Sequence, residues 1–514
     1  MSVLQLYMSY PVCVPDVVWL VALLVLVYGL LYGGERRRGL VLPPGPTPLP
    51  ILGNLLHMAG ADPHIRMTEM ARKFGDVYQV WLGMEKVVVI SDIDLAKEAL
   101  VKSGDDFAGR APLPTTDLLS NSGMGIAFAD YGRGWRIHKK LTHNALKMFG
   151  NGMQQLESRI SQEADWLCSH LGASAGQPLD PYTGLNVVIG NIISSLCLGK
   201  RYEPDDPEFR TIVHYNEGLV DTVGKDGLID VFPLLAKLPN ATVRKMKECL
   251  ELRNKVLSKN IEEHRATYQA GKLRDLIDTL LKAQAEAVMV GGHRALRHLS
   301  DEHILITVND VFGGGMETAT TTMRWILLFL VHYPEVQDRI QREMQRALCA
   351  NDPVRLCDRE RLPYLEATIR EVLRMRPVAP LAIPHKTIRD TSVGDYDVPQ
   401  GTRVMFNLWA IHHDERHWTD PATFNPDRFL DGKTGQLTEI CRGGSFLPFL
   451  AGCRGCLGES MAKAELFLFT ARILRDFRLE LPHGVSPPSL QGRYGVVMAP
   501  DRYRICFRPR EEQI

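Results

Sequence analysis

The chain has 514 residues, with 60 Lys+Arg balanced by 60 Asp+Glu, so its formal net charge is zero. That balance excludes the basic footprint of a nucleic-acid-binding protein. Its ten cysteines are scattered singly apart from Cys453 and Cys456, which implies no disulfide framework and fits a reducing compartment.

The first element is an apolar run from Val17 to Tyr32, followed by Gly33-Gly34-Glu35-Arg36-Arg37-Arg38. The run is slightly short for a membrane span, and the segment from Val12 lengthens it at the cost of Asp16. A cleaved signal peptide carries its positive charge ahead of the apolar run, whereas here the charge comes after it. The positive-inside rule then puts residue 36 onward in the cytosol. Residues 1–38 therefore read as a signal-anchor transmembrane segment with a basic flank. Residues 39–50 include Leu42-Pro43-Pro44-Gly45-Pro46-Thr47-Pro48-Leu49-Pro50, a stiff proline-rich hinge that sets the tilt of the body against the membrane. Residues 51–514 read as that one body.

The body is expected to be mainly α with a small β portion. Lys86-Val87-Val88-Val89-Ile90-Ser91 reads as a buried strand, and so does 502–507 by its alternation. Glu286 to His298 reads as a flexible loop. The clearest helix starts at Ser300, an N-cap with Asp301-Glu302 in the first turn. It runs to about Leu330, or about 45 Å. Its centre is Gly313-Gly314-Gly315-Met316-Glu317-Thr318. Each mid-helix glycine costs about 1 kcal/mol against alanine. Three together need a cause, either close helix packing or a ligand against the backbone. Glu317 and Thr318 set an acid beside an alcohol, a pair that can relay protons through water. On the helix from Tyr364 to Met375, Glu371 and Arg374 share a face. Alone they would be an ordinary ion pair worth under about 1 kcal/mol. Arg428 comes later, in Phe424-Asn425-Pro426-Asp427-Arg428-Phe429.

The most informative segment is Phe449-Leu450-Ala451-Gly452-Cys453-Arg454-Gly455-Cys456-Leu457-Gly458. A haem held by one thiolate needs such a compact loop, with glycines that let the sulfur approach the iron and backbone N–H groups that tune it. An arginine beside it can pair with a haem propionate. Cys453 and Cys456 also form a Cys-x-x-Cys, which fits a redox pair or half a zinc site. No second Cys-x-x-Cys completes such a site, and no thioredoxin-like strand-turn-helix precedes the pair.

The pattern Phe-x-x-Gly-x-Arg-x-Cys-x-Gly resembles the haem-ligand loop of the cytochrome P-450 monooxygenases. The Glu317-Thr318 turn and the Glu371/Arg374/Arg428 triad occur in that family's order. The resemblance implies the cytochrome P-450 fold for 51–514, haem b with Cys456 as the axial thiolate, O2 as co-substrate, and electrons from NADPH-cytochrome P-450 reductase. It also implies a place in the endoplasmic reticulum membrane with the body in the cytosol. It assigns proton delivery to Glu317 and Thr318, and haem contacts to Arg110, Trp135, Lys139, His385 and Arg454. Leu450 and Cys453 depart from the family loop, where glycine and proline or histidine are common. Lys139 stands where arginine is usual.

Longer segments resemble the steroid 17α-hydroxylase/17,20-lyase branch. They include Arg370 to Pro380, Ile383-Pro384-His385-Lys386, Asn309 to Thr322, Tyr215-Asn216-Glu217-Gly218, Gly125 to Asp130 and Asn407 to His413. This implies hydroxylation at C17 of pregnenolone or progesterone, with C17–C20 cleavage as a second reaction. The alternative within the family is a steroid 21-hydroxylase or another lipid or xenobiotic monooxygenase. The branch implies Asn216 as the steroid A-ring partner, Arg253 as its support, and Asp310 in the same cavity. Leu119, Val378, Ile383 and Val497 would be apolar wall. Arg359, Arg370 and Lys463 would meet redox partners, cytochrome b5 among them. A haem-thiolate isomerase is disfavoured by Glu317-Thr318, and a non-catalytic haem or sterol binder by the intact motifs.

Overall fold

The computed structural model describes Trp19 and residues 39–510, apart from 61, 151–152, 224–226, 270, 292–295, 350–351 and 439–443. The anchor and basic flank expected at 1–38 lie outside the described residues, Trp19 aside. Among the described residues no helix is long and apolar enough to cross a membrane.

Helices dominate. In chain order the main ones are α1 (Pro63–Phe74), α2 (Pro114–Leu119), α3 (Arg133–Gly150), α4 (Met153–Gly172), α5 (Pro181–Cys197) and α6 (Pro207–Val223). They continue as α7 (Ala241–Thr267), α8 (Leu276–Gly291), α9 (Asp301–His332), α10 (Pro334–Ala347), α11 (Pro363–Met375) and α12 (Glu459–Asp476). Four strands make a small sheet in the order β1 (Val77–Leu82), β2 (Glu85–Ile90), β6 (Arg403–Phe406), β3 (His385–Lys386). Two two-stranded ribbons complete the β portion: β4 (Thr391–Val393) with β5 (Tyr396–Val398), and β7 (Phe477–Glu480) with β8 (Cys506–Pro509).

The strand expected at 86–91 is β2. Its unbroken apolar run is explained by burial on both faces: Val88 and Ile90 pack into one cluster and Val87 and Val89 into another. It pairs antiparallel with β1 and parallel with β6. The strand expected at 502–507 is displaced. Its ladder starts at Cys506, because Ile505 instead bridges Leu179 and Tyr503 turns its hydroxyl onto the Arg324 carbonyl at 2.6 Å. The expected loop from Glu286 is corrected too, since α8 continues to Gly291.

α9 starts where the cap predicts, with the Ser300 hydroxyl accepting from the His303 N–H. It runs through the main core, where Ile304–Asn309 and Ala319–Val331 are buried. A helix buried on both sides of a more open middle, 310–318, is a spine from which a site can be hung. Glu371 and Arg374, which alone would be an ordinary ion pair, are completely buried and joined by Arg428 as a structural triad. Glu371 accepts from Arg374 at 2.7 and 2.8 Å, from Arg428 at 3.0 Å and from the Asn425 N–H at 2.9 Å. Arg374 also donates to the His412 carbonyl at 2.7 Å. Two distant segments are thereby locked to α11, directly before the cysteine loop.

Candidate active site

The cysteine loop is built by its backbone. The Cys456 N–H donates to the Phe449 carbonyl at 3.0 Å and closes the loop. Gly452 has φ +73°, and a Cβ there would run into the Leu100 carbonyl, so only glycine lets the loop rest on that turn. The N–H groups of Gly458 and Glu459 point at the Cys456 sulfur and favour its thiolate, while surrounding protein pushes the thiol up. The residue itself is exposed at a cleft of about 920 Å³. Leu450 sits at φ +58°, a left-handed conformation that costs a leucine about 1–2 kcal/mol. This explains why glycine is common there. Leu450→Gly is expected to stabilise the protein by about 1 kcal/mol, read from its denaturation midpoint. A lowered midpoint would mean that the packing of Leu450 against the Val88–Phe406 cluster outweighs the strain.

Cations converge beside this loop. Arg454 donates to the carbonyls of Ala108 and Ala129 at 2.8 Å and of Ile126 at 3.2 Å. Arg110 donates to Ala127 at 3.0 Å and to Ile383 and Pro384 at 2.9 Å. Burial lowers both guanidinium groups, Arg454 to about 10, and the charge of Arg454 further lowers Arg110. The nearby carboxylate, Asp130, is tied to Lys386 at 2.6 Å. His385 gives Nδ1 to the Phe107 carbonyl at 2.7 Å, and its buried Nε2 has no partner. Two desolvated guanidinium groups call for an anion, and an anion bound there would let His385 take a proton and donate from Nε2. A haem, with two propionates and an iron for Cys456, fits this donor set. Trp135 and Lys139 are committed otherwise. The indole N–H donates to Ile126 at 3.2 Å, its ring lies 4.1 Å from the Arg454 guanidinium, and Lys139 donates to the Cys453 carbonyl.

The three glycines of α9 divide their roles. A Cβ at Gly315 would collide with Ile193 on α5, which is helix packing. A Cβ at Gly314 would meet nothing within 4 Å, and one at Gly313 would face the Asn216 Oδ1 at 3.6 Å. Packing and an open space beside the backbone thus both account for the run. The Thr318 hydroxyl donates to the Gly314 carbonyl at 2.7 Å. Glu317 points elsewhere. It accepts from Thr321 at 3.2 Å, and burial raises its carboxyl to about 7, with Arg324 opposing and Glu217 and Asp221 adding to the rise. Tyr182 donates to Glu217 at 2.7 Å, and Arg324 lies 5.1 Å from the Tyr182 ring. Sequence reasoning missed Tyr182, which reaches Glu317 from α5 only through tertiary packing, and Arg324, which stands two turns on along α9 and carries no motif.

A family model described as cytochrome P450 matches residues 43–507. The chain belongs to the cytochrome P450 family. Its relatives include proteins named steroid 17-alpha-hydroxylase/17,20 lyase. That of Oryzias latipes is 45% identical over 500 residues, covering 96% of each chain. That of Gallus gallus is 44% identical over 500 residues, covering 97% of this chain and 98% of the other. A zebra fish cytochrome P450 solved with progesterone superimposes with a TM-score of 0.79 at 40% identity, covering 88% of this chain and all of the other. P450s work with a haem held by a cysteine thiolate, O2 and electrons delivered by a redox partner.

In this P450 three of the expected substrate residues, Asn216, Asp310 and Arg253, lie on or beside α9. Asn216 is buried and anchored by its amide nitrogen to the Ile212 carbonyl at 3.1 Å, which leaves Oδ1 toward Gly313. Asp310 accepts from the Ile126 and Ala127 N–H groups at 2.7 and 3.0 Å, and burial raises it to about 6. Arg253 is 2% exposed, donates to the Leu119 carbonyl at 2.6 Å, and feels the charge of Asp310. Leu119, at the end of α2, packs on the main core. Val378 and Val497 are brought together by the Met498 N–H bond to the Val378 carbonyl at 2.8 Å. Ile383 is the outlier, with a half-open side chain and a carbonyl held by Arg110. The Tyr215 hydroxyl, next to Asn216, is buried without a partner and went unremarked in the sequence. On the cleft side of Cys456, the lining includes Arg136, Lys139, Lys140, Arg359 and Lys463, with Glu459 as the opposing charge. Arg370 does not line that cleft.

Proposed function

We propose that this P450 hydroxylates C17 of pregnenolone or progesterone and cleaves the C17–C20 bond in a second reaction. The named relatives and the progesterone-bound zebra fish structure support the substrate class. The observation that carries the reading is the Asn216 amide, buried opposite Gly313, which lies about five residues before Thr318 along one helix. A rigid sterol offers few polar handles: as oriented here the Asn216 Oδ1 would accept from a 3-hydroxy group, and turning the amide over would present its N–H₂ to a 3-keto group. The alternative, 21-hydroxylation, would use the same anchor with a shifted D-ring. Reconstitution with NADPH-cytochrome P-450 reductase and either steroid, with products identified by mass spectrometry, tests the reading. Failure to oxidise any steroid would overturn it.

Cys456 would hold haem b, with Arg110, His385 and Arg454 toward the propionates and Trp135 and Lys139 beside them. The bound haem supplies oxygen activation with electrons passed from NADPH. Thr318 can turn its hydroxyl from the Gly314 carbonyl toward the open space at Gly314 and hold a proton there. Glu317, held near neutrality, takes up and releases protons at working pH. Thr318→Ala is expected to uncouple electron use from steroid product by about tenfold and release peroxide, measured as NADPH consumed per product. Retained coupling would count against the relay. Leu119 would press the steroid D-ring, so Leu119→Ala is expected to broaden the product ratio away from C17. An unchanged ratio would contradict that role.

The endoplasmic reticulum membrane is the proposed site, with 1–38 as anchor and 39–50 as hinge. Exposed Val41, Ile51 and Leu56 support this, as do Leu228, Leu234 and Leu238 beyond the β1–β2 turn, where Gly83 meets Val231. Such an apolar surface suits a lipid contact. The basic cleft suits the acidic faces of reductase and cytochrome b5.

A further inference from the structure

Arg359 lines the Cys456 cleft, whereas Arg370 lies behind it, and one carboxylate joins them. Glu366, in the first turn of α11, is almost fully buried. It accepts both forks of Arg359, from Nε at 2.7 Å and from Nη2 at 2.6 Å. It also accepts from the Arg370 Nε at 2.9 Å. Arg359 remains 30% exposed and Arg370 16%. The surroundings are pinned as well. The Leu356 N–H donates to Glu157 at 2.9 Å, Asp358 accepts from the Arg355 N–H at 2.9 Å, and Glu343 caps α11 through the Tyr364 and Leu365 N–H groups. A long cation at a surface normally loses affinity to rotamer freedom when it is ordered by a partner. Here the ordering is built in. Nε and one Nη2 hydrogen are spent on Glu366, and the Arg359 Nη1 edge stays free for an acidic group.

We propose that Glu366 is a positioning residue for redox-partner docking: it holds Arg359 in a fixed fork at the rim of the Cys456 cleft, braced by Arg370. This rests on the reading that an acidic partner docks in that cleft. It goes further in assigning the geometry of the contact to a residue that never touches the partner. Arg370 then acts through Glu366 rather than by direct contact.

The sign of one substitution separates positioning from simple charge. Glu366→Gln removes a negative charge, so if the cleft attracted partners by net charge alone, binding would tighten. If Glu366 positions Arg359, binding weakens despite the gain in positive charge. The probe is the soluble haem domain of cytochrome b5, titrated into the haem-loaded full chain and followed by fluorescence at low and moderate salt. The expected result is a Kd about tenfold higher for Glu366→Gln and for Arg359→Lys, which keeps the charge but loses the fork. The double variant Arg359→Ala/Glu366→Gln should bind no more weakly than Arg359→Ala alone, a non-additivity that general structural damage would not produce. Unchanged or tighter binding by Glu366→Gln, with Arg359→Ala weakened, would overturn the positioning role. Unchanged binding by Arg359→Ala would instead overturn the docking reading on which it rests. If Glu366→Gln does not fold, Arg359→Lys decides between the same outcomes, since wild-type affinity there would overturn the fork.

Discussion

Glu371→Ala is expected to yield little or no folded protein. The carboxylate has no exposed surface and carries four hydrogen bonds, from Arg374, Arg428 and the Asn425 N–H. Removing it leaves one guanidinium fully buried and another nearly so without a counter-charge. Breaking such a pair from one side costs about 3–5 kcal/mol. A domain has only about 5–15 kcal/mol in total. The loss also frees the segment around Asn425 that packs Phe424 against Phe329 and Tyr333. Soluble yield and the thermal midpoint report the effect. A midpoint within a few degrees of the parent would show that the triad is dispensable.

Cys456→Ala is expected to abolish turnover and reduce haem retention to background, while Cys453→Ala retains both. The two thiols lie three residues apart, and the structure treats them differently. Cys456 closes the loop with its N–H and has two further N–H groups aimed at its sulfur. Cys453 turns its thiol to the Gly104 carbonyl at 3.6 Å and lends its own carbonyl to Lys139. Haem content by absorbance, measured beside steroid turnover, separates the two variants. Loss of haem from Cys453→Ala with retention by Cys456→Ala would exchange their roles.

Much of this was legible in the sequence because it is written locally. Ser300 and the acids after it announce α9, and the apolar run 87–90 announces β2. The glycine and arginine offsets single out Cys456. Leu450 stood out against the family loop, and its left-handed backbone is the physical reason. What stayed hidden depends on distant parts of the chain. The burial of Glu371 requires the segment from Asn407 to Phe429 to fold over α11. The Glu317 carboxyl is raised by burial and by Glu217 and Asp221 on a different helix, α6, and Glu366 becomes a joint only once Arg359 arrives from a preceding turn. The end strand was misplaced because alternation alone does not say which residue first finds a partner, and Leu179 claims Ile505 before β7 begins its ladder.

The central claim is that this P450 places C17 of a steroid at its oxygen-activating site, with Asn216 holding the far end. Progesterone deuterated at C17, turned over with reductase and analysed by mass spectrometry, tests it most directly. The account predicts a monohydroxylated product that has lost its deuterium. A hydroxylated product that keeps the deuterium would place the oxidised carbon elsewhere and contradict it.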